Sequence, residues 1–328
     1  MRISDLEVTE REIELRSPFV TALRTVSNYP VIEVRCVLDN GAIGVGDCVA
    51  TPAITGDRHE AILEDLKSNK LKALIDHDYQ SSQALSAAIL ESGLLPSTRS
   101  ALDVAILDAL MPIQSVQIAT DVTIPICSDL EFDEIFAHRR AAGFRAFKVK
   151  VDRDGATGLV KRVEKIAEAG EFLIRIDPNQ SWDLELARSV MRDIEGQGIS
   201  IEYLEQPLPR SDLAGHAELA AQIATPLMAD ESVFDLADLE RIAAREIFTW
   251  LNVKLLKSGG YTPALLLAQR ARNLGMKVSV GSMMEGERGI RAAAQLAYEI
   301  APDLIHDLDA AWWFRNTSLS YSESILST

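Results

Sequence analysis

Three short apolar runs in this chain each end on a carboxylate: Ile174-Arg175-Ile176-Asp177, Ile201-Glu202-Tyr203-Leu204-Glu205 and Leu227-Met228-Ala229-Asp230. The terminal acids stand 28 and then 25 residues apart, about one strand-helix unit each. That spacing predicts the C-terminal tips of three successive parallel strands, and in a barrel such tips converge on one site. Three carboxylates about 5 Å apart would repel by roughly 10 kcal/mol in all at an effective dielectric near 20. A divalent cation relieves that repulsion. An all-oxygen donor set favours Mg²⁺, Mn²⁺ or Ca²⁺ over zinc.

The surrounding pattern agrees. Strands are expected near 124–128, 145–151, 172–177, 200–205, 226–230, 250–256, 277–282 and 304–308, with helical stretches at 131–142, 156–169, 183–195, 212–223, 235–244, 262–273 and 287–300 between them. Eight strands and seven helices predict an α/β fold, a C-terminal (β/α)7β modified TIM barrel whose last helix is absent or altered. The first part of the chain is α+β instead. Residues 2–16 and 31–38 alternate, Asp39-Asn40-Gly41 supplies a hairpin turn, and helical periodicity covers 58–75, 80–92 and 98–110 until Pro112. The expected division is residues 1–115, then a barrel over 116–310, then a C-terminal segment 311–328 that returns to the first domain.

The 328 residues carry a net charge of −16, spread along the chain, which opposes binding to nucleic acid or an anionic membrane and favours a small-molecule partner. Cys36, Cys48 and Cys127 are too few and too scattered for a disulfide framework or a zinc site and are read as core thiols. The charged amino terminus lacks the apolar stretch of a signal peptide, and no later segment has ~20 uninterrupted apolar residues. A cytoplasmic location is expected. Homo-oligomerisation is left open.

Phe147-Lys148-Val149-Lys150-Val151 alternates strictly, so Lys148 and Lys150 share one strand face and point inward if the apolar face meets the helices. On the same reasoning Asn252 and Lys254 face inward, and Lys257 is assigned to the other face. Lysines on two strands across one acidic cluster point to a pair of proton-transfer groups on opposite faces of a metal-bound substrate.

The segments FKVKVD, IRIDPNQSW, YLEQP, MADESV, NVKLLKSGG and GSMME, in this order, resemble the muconate-lactonizing subgroup of the enolase superfamily. The resemblance implies an N-terminal α+β capping domain over the barrel, Asp177, Glu205 and Asp230 as ligands of Mg²⁺ (with Mn²⁺ as a substitute), and Lys150 and Lys254 as the acid/base pair. Lys148 would depress the pKa of Lys150 or hold a substrate carboxylate oxygen, with Asn179, Gln206 and Glu231 in support. Asp307-Leu308-Asp309 resembles the Asp-x-Asp of dipeptide epimerases, which receives a substrate's α-ammonium. The loops near 15–30 and 50–57 resemble the capping loops of members acting on L-Ala-D/L-Glu, with Arg24 suited to a side-chain carboxylate and Thr55, Ser282 and Met284 lining the site.

The implied activity is Mg²⁺-dependent dipeptide epimerisation by 1,1-proton transfer through an enediolate, an isomerase reaction placed in cell-wall (murein) peptide recycling. Alternatives are a dipeptide epimerase of other specificity, or a lyase or isomerase of the o-succinylbenzoate synthase or muconate cycloisomerase type. Those last substrates lack an ammonium group for Asp307 and Asp309. Two departures from the family pattern concern the junction and the specificity. The stretch between Leu110 and Thr123 is short, and Glu285-Gly286-Glu287 adds acid near the seventh strand, which raises a cationic second residue as the rival to glutamate.

Overall fold

The computed structural model describes residues 1–75 and 77–328. Its first sheet is antiparallel, in the order β1 (Ile3–Val20), β2 (Thr25–Leu38), β3 (Ile43–Cys48), and is backed by α1 (His59–Asp65), α2 (Asn69–Ile75), α3 (Ser82–Glu91) and α4 (Pro96–Leu110). Ile32, Val34, Cys36 and Leu38 bury one face of β2. Gly44 and Gly46 let β3 lie directly on α4, where a Cβ at either position would run into the helix backbone at Ala105 and Ala101.

Two local readings differ from the sequence expectation. The first hairpin does not end near residue 16 but runs on to a turn at Thr21–Arg24, closed by Thr21 N–H donating to the Arg24 carbonyl at 3.0 Å. The register slips between Glu14 and Phe19, where Pro18 has no N–H for the ladder, so strict alternation disappears from the sequence while the strands continue. The extension brings the turn to the barrel, with Ile126 N–H donating to the Val20 carbonyl at 3.1 Å. The expected helix over 58–75 is two helices, because Ser68 Oγ accepts from Leu71 N–H and starts the second one.

The barrel follows from β4 (Gln117–Ala119) and β5 (Val122–Ile124) through α5 (Asp129–Ala141), β6 (Ala146–Lys150), α6 (Ala156–Glu168), β7 (Leu173–Asp177), α7 (Leu184–Gly196), β8 (Tyr203–Glu205), α8 (Leu213–Ala220), β9 (Leu227–Ala229), α9 (Leu236–Ala243), β10 (Trp250–Lys254), α10 (Leu255–Ser258), α11 (Tyr261–Asn273), β11 (Lys277–Gly281) and α12 (Glu287–Ile300). Seven parallel strands, β11-β10-β9-β8-β7-β6-β5, form one curled sheet. The eighth expected strand is reduced to two isolated parallel bridges, Gly281 with Asp307 and Thr120 with His306. β5 starts two residues before the expected 124–128 and stops at Ile124, because Pro125 has no N–H for the ladder. The chain then makes a short 3-10 turn at Ala310–Trp313 and ends in β12 (Ser320–Ser322) and β13 (Ile325–Ser327), which pair in the order β12-β13-β4. Phe314 bridges Leu15 of the hairpin. Among the described residues no helix is long and apolar enough to cross a membrane.

Candidate active site

The alternation of β6 turns Phe147 and Val149 into the apolar layer and Lys148 and Lys150 into the barrel. Register pairs Lys150 with Asp177, and the Lys150 ammonium donates to Asp177 Oδ2 and to Asn179 Oδ1 at 3.0 Å. Lys148 reaches Glu205 at 2.6 Å, Asp307 at 2.8 Å and Asp177 at 3.3 Å. From β10, Lys254 lies 2.8 Å from Asp230 Oδ2. Lys257 does not face away. Strand geometry stops at Lys254, and the helical turn α10 swings Lys257 back so that its ammonium donates to the Asp230 carbonyl and Oδ1, both at 2.5 Å, and to the Asn252 carbonyl at 3.1 Å.

Asp177, Glu205 and Asp230 are each fully buried at adjacent strand ends. Burial raises all three carboxyls. For Asp177 and Asp230 the neighbouring lysines overcome it and hold the pKa below the usual range. Glu205 is pushed up to about 7 by burial and by the charge of Asp177, despite Lys148. Burial pulls Lys148 and Lys254 down, but Asp307, Glu205, Asp177 and Asp230 outweigh it and hold both ammoniums above the ordinary lysine range. A depressed lysine pKa at Lys254 is therefore absent from this arrangement, because the carboxylates serve as its counter-ions. Glu205 Oε1 accepts from Asn252 at 2.9 Å, Glu205 Oε2 is met by the Lys148 ammonium at 2.6 Å, and the neighbouring Glu231 Oε2 is buried without a hydrogen-bond partner. An all-oxygen, mutually repelling donor set beside an orphaned carboxylate oxygen fits a hard divalent cation. Gln206 supports Asp230: its Oε1 accepts from Asp230 N–H at 3.1 Å and Ser232 N–H at 3.0 Å. Asn179 Nδ2 donates to Glu231 Oε1 at 3.4 Å.

A cavity opens above these groups. Arg24, Lys148, Lys150, Asn179, Lys254, Ser282, Met284, Asp307 and Asp309 all line it, joined by Phe19, Leu23, Thr123 and Met283. Thr55 is not part of the wall. Its hydroxyl lies 3.0 Å from that of Thr51 and accepts from Asp57 N–H, leaving Ala53 and Ile54 to face the cavity. The Asp309 carboxylate accepts from Thr123 N–H at 2.6 Å. The only set of three metal-capable side chains among the described residues with ligand atoms all within 4.8 Å is Asp121, Asp307 and Asp309. Asp177, Glu205 and Asp230 are less tightly gathered, each being drawn to its own lysine.

The acidic pair near the seventh strand lies elsewhere. Glu285 is 1% exposed, and Glu285 and Asp47 both crowd the first turn of α12, where Asp47 accepts from the Arg288 and Gly289 N–H groups. Glu287 accepts from Ser318. Neither lines the cavity. Thr123 and Asp121 lie outside the strand that apolar pattern places at 124–128, and Lys257 escapes a period-two reading because the strand gives way to a helical turn after Lys254.

A curled parallel barrel with lysines and carboxylates gathered at its strand ends, under an α+β domain, defines an enolase-superfamily protein. The chain belongs to the mandelate racemase / muconate lactonizing enzyme family: residues 3–120 match the family described as Mandelate racemase / muconate lactonizing enzyme, N-terminal domain, and residues 133–323 match Enolase C-terminal domain-like. It is 30% identical to the L-Ala-D/L-Glu epimerase of Bacillus subtilis (strain 168), over 100% of this chain and 94% of that one. The substrate-liganded structure of the L-Ala-D/L-Glu epimerase from Bacillus subtilis superposes with a TM-score of 0.93 at 29% identity, covering 100% and 96% of the two chains. The dipeptide epimerase of Methylococcus capsulatus, solved with Mg and the dipeptide L-Arg-D-Lys, gives a TM-score of 0.90 at 27% identity over 100% and 97%.

Proposed function

We propose that this chain is a dipeptide epimerase that inverts the C-terminal residue of L-Ala-D/L-Glu, using Mg²⁺ or Mn²⁺. The observation that carries the reading is the pair Lys150 and Lys254, on β6 and β10 with three strands between them, both lining one cavity. Inversion by proton transfer needs one group on each face of the α-carbon. In this reading the neutral form of one lysine takes the α-proton and the ammonium of the other returns one. Asp177, Glu205 and Asp230 would hold the cation, which when bound stabilises negative charge on the substrate carboxylate and draws those carboxylates away from the lysines.

Specificity follows from the two ends of the cavity. Asp307 and Asp309 suit the free α-ammonium, which argues against elimination or cycloisomerisation of a substrate lacking one. Arg24 makes no ion pair among the described residues, and burial lowers its pKa with only Tyr29 supporting its charge. A cationic group in that state is completed by an anionic side chain, and the withdrawal of Glu285 and Glu287 from the wall removes the support for a cationic second residue. Residues 1–115 would then carry the specificity turn and 116–310 the chemistry.

The test is incubation of a dipeptide panel in D₂O with Mg²⁺, read by mass spectrometry and chiral chromatography. Ala-Glu should gain one α-deuterium and invert. Absence of exchange in every free-amine dipeptide refutes the reading.

A further inference from the structure

The segment that carries Asp307 and Asp309 forms no regular strand: only His306 and Asp307 are laddered, through backbone hydrogen bonds with Ala119 and Asp121 on one side and Val280 and Ser282 on the other, and the chain then leaves in a 3-10 turn. A ladder two residues long leaves its flanks free to shift. Here further bonds come from inside the barrel. Arg175, two residues before Asp177 on β7, is fully buried. Its Nη2 donates to the Ile305 carbonyl at 2.7 Å, its Nη1 to the His306 carbonyl at 3.2 Å and to Asp121 Oδ2 at 2.8 Å, and its Nε to Glu202 Oε2 at 2.7 Å. The guanidinium also lies over the Tyr203 ring, 4.9 Å from its centroid.

A buried charge network is costly, and apolar residues of similar volume often serve stability as well or better. Its geometry therefore asks for another role. Two consecutive carbonyls and a carboxylate are gripped by one planar fork, which a lysine ammonium cannot reproduce. Asp121 in turn shares the tight carboxylate group with Asp307 and Asp309, and Arg175 is the cation that offsets it.

We propose that Arg175 is a positioning residue for ammonium recognition: by gripping the Ile305 and His306 carbonyls and offsetting Asp121, it fixes where Asp307 and Asp309 stand at the cavity wall. The proposal rests on the reading of those two aspartates as the receptor for a dipeptide ammonium.

The test compares Ala-Glu with N-propionyl-glutamate, the same molecule without its ammonium, by calorimetric titration of the Mg²⁺-loaded wild type and Arg175→Lys. Wild type should prefer Ala-Glu. In Arg175→Lys that preference should shrink by about tenfold or more, while the affinities for N-propionyl-glutamate and for Mg²⁺ each change by less than about threefold. Equal weakening of both ligands, a parallel loss of Mg²⁺ affinity, or an unchanged preference overturns the proposal. A wild type that binds the two ligands alike overturns the ammonium reading itself, and this proposal with it. Should Arg175→Lys fail to fold, the isosteric Asp121→Asn is read by the same ratio. A preference reduced several-fold supports the proposal, and an unchanged one overturns it.

Discussion

Arg24→Met separates the role of that residue in substrate recognition from any role in the fold. The guanidinium sits at the tip of the long hairpin, half-buried against the cavity, and among the described residues it has no carboxylate within ion-pair distance. A glutamate side chain meeting it through two charge-assisted hydrogen bonds gains roughly 1.5–3 kcal/mol from each, so removing the fork should cost about 3–6 kcal/mol of transition-state binding. That is roughly a 10²- to 10⁴-fold fall in kcat/KM for Ala-Glu. A dipeptide with an apolar second residue makes no such contact and should change by less than about threefold. Burial already disfavours the Arg24 cation in the substrate-free protein, so methionine should hold or raise Tm. Steady-state polarimetry on Ala-Glu, Ala-Leu and Ala-Lys, with a thermal melt of each protein, decides the matter. A fall of several degrees in Tm, or Ala-Glu turnover indifferent to the substitution, refutes the reasoning; a wild-type preference for Ala-Lys discards the glutamate assignment while leaving the epimerase chemistry standing.

Asp177→Asn, Glu205→Gln and Asp230→Asn should each abolish turnover and weaken Mg²⁺ binding in calorimetry, and chelator should silence the wild type until Mg²⁺ is restored. Glu205 is raised to about 7 in the metal-free fold. Its favourable contribution is complete below the unfolded value and is lost as pH rises through about 7, so Glu205→Gln should flatten the metal-free Tm profile between about pH 4.5 and 7. Lys150→Ala and Lys254→Ala should each stop epimerisation yet retain α-hydrogen exchange for opposite enantiomers; wild-type interconversion by either variant removes that lysine from the acid/base pair. Glu285 is pushed up to about 8, first by burial and then by Asp47. Its stabilisation likewise fades as pH rises through about 8, so Glu285→Gln should gain Tm at pH 8 relative to wild type and leave the Ala-Glu to Ala-Lys ratio unchanged.

The barrel was legible because both of its periods are written in apolar residues. Strands ending at Asp177, Glu205 and Asp230 and the alternation through Lys148 and Lys150 depend only on local geometry, and the observed strands end on or next to those residues. The closing segment was over-read for the same reason. Leu304-Ile305-His306-Asp307-Leu308 has the composition of a strand, but its partners are set by neighbours remote in sequence, and only His306 and Asp307 find bridges. The hairpin is legible only to residue 16, because the register slip between Glu14 and Phe19 breaks the alternation while the strands continue to the turn at Thr21–Arg24. The small sheet of β12, β13 and β4 consists of three-residue strands joining the chain's end to residues 117–119, a pairing no local signal announces.

Within the site, sequence spacing gave direction but not depth. Glu285 and Met284 are consecutive, yet one carboxylate is buried against Asp47 and the α12 N-terminus while the other side chain lines the cavity. Period-two reasoning cannot separate them, because the chain has left the strand at Gly281. Lys257 shows the converse error: a helical turn inserted after Lys254 returns it to Asp230, so the acidic centre is met by one more cation than alternation allows. Arg175 is the plainest case. Its inward direction follows from sharing a face with Asp177, but its partners, Asp121, Ile305 and His306, lie 54 to 131 residues away. Such a residue reads in sequence as an unexplained charge inside a strand. Only the folded barrel shows that its charge and its fork meet a segment whose own ladder is two residues long.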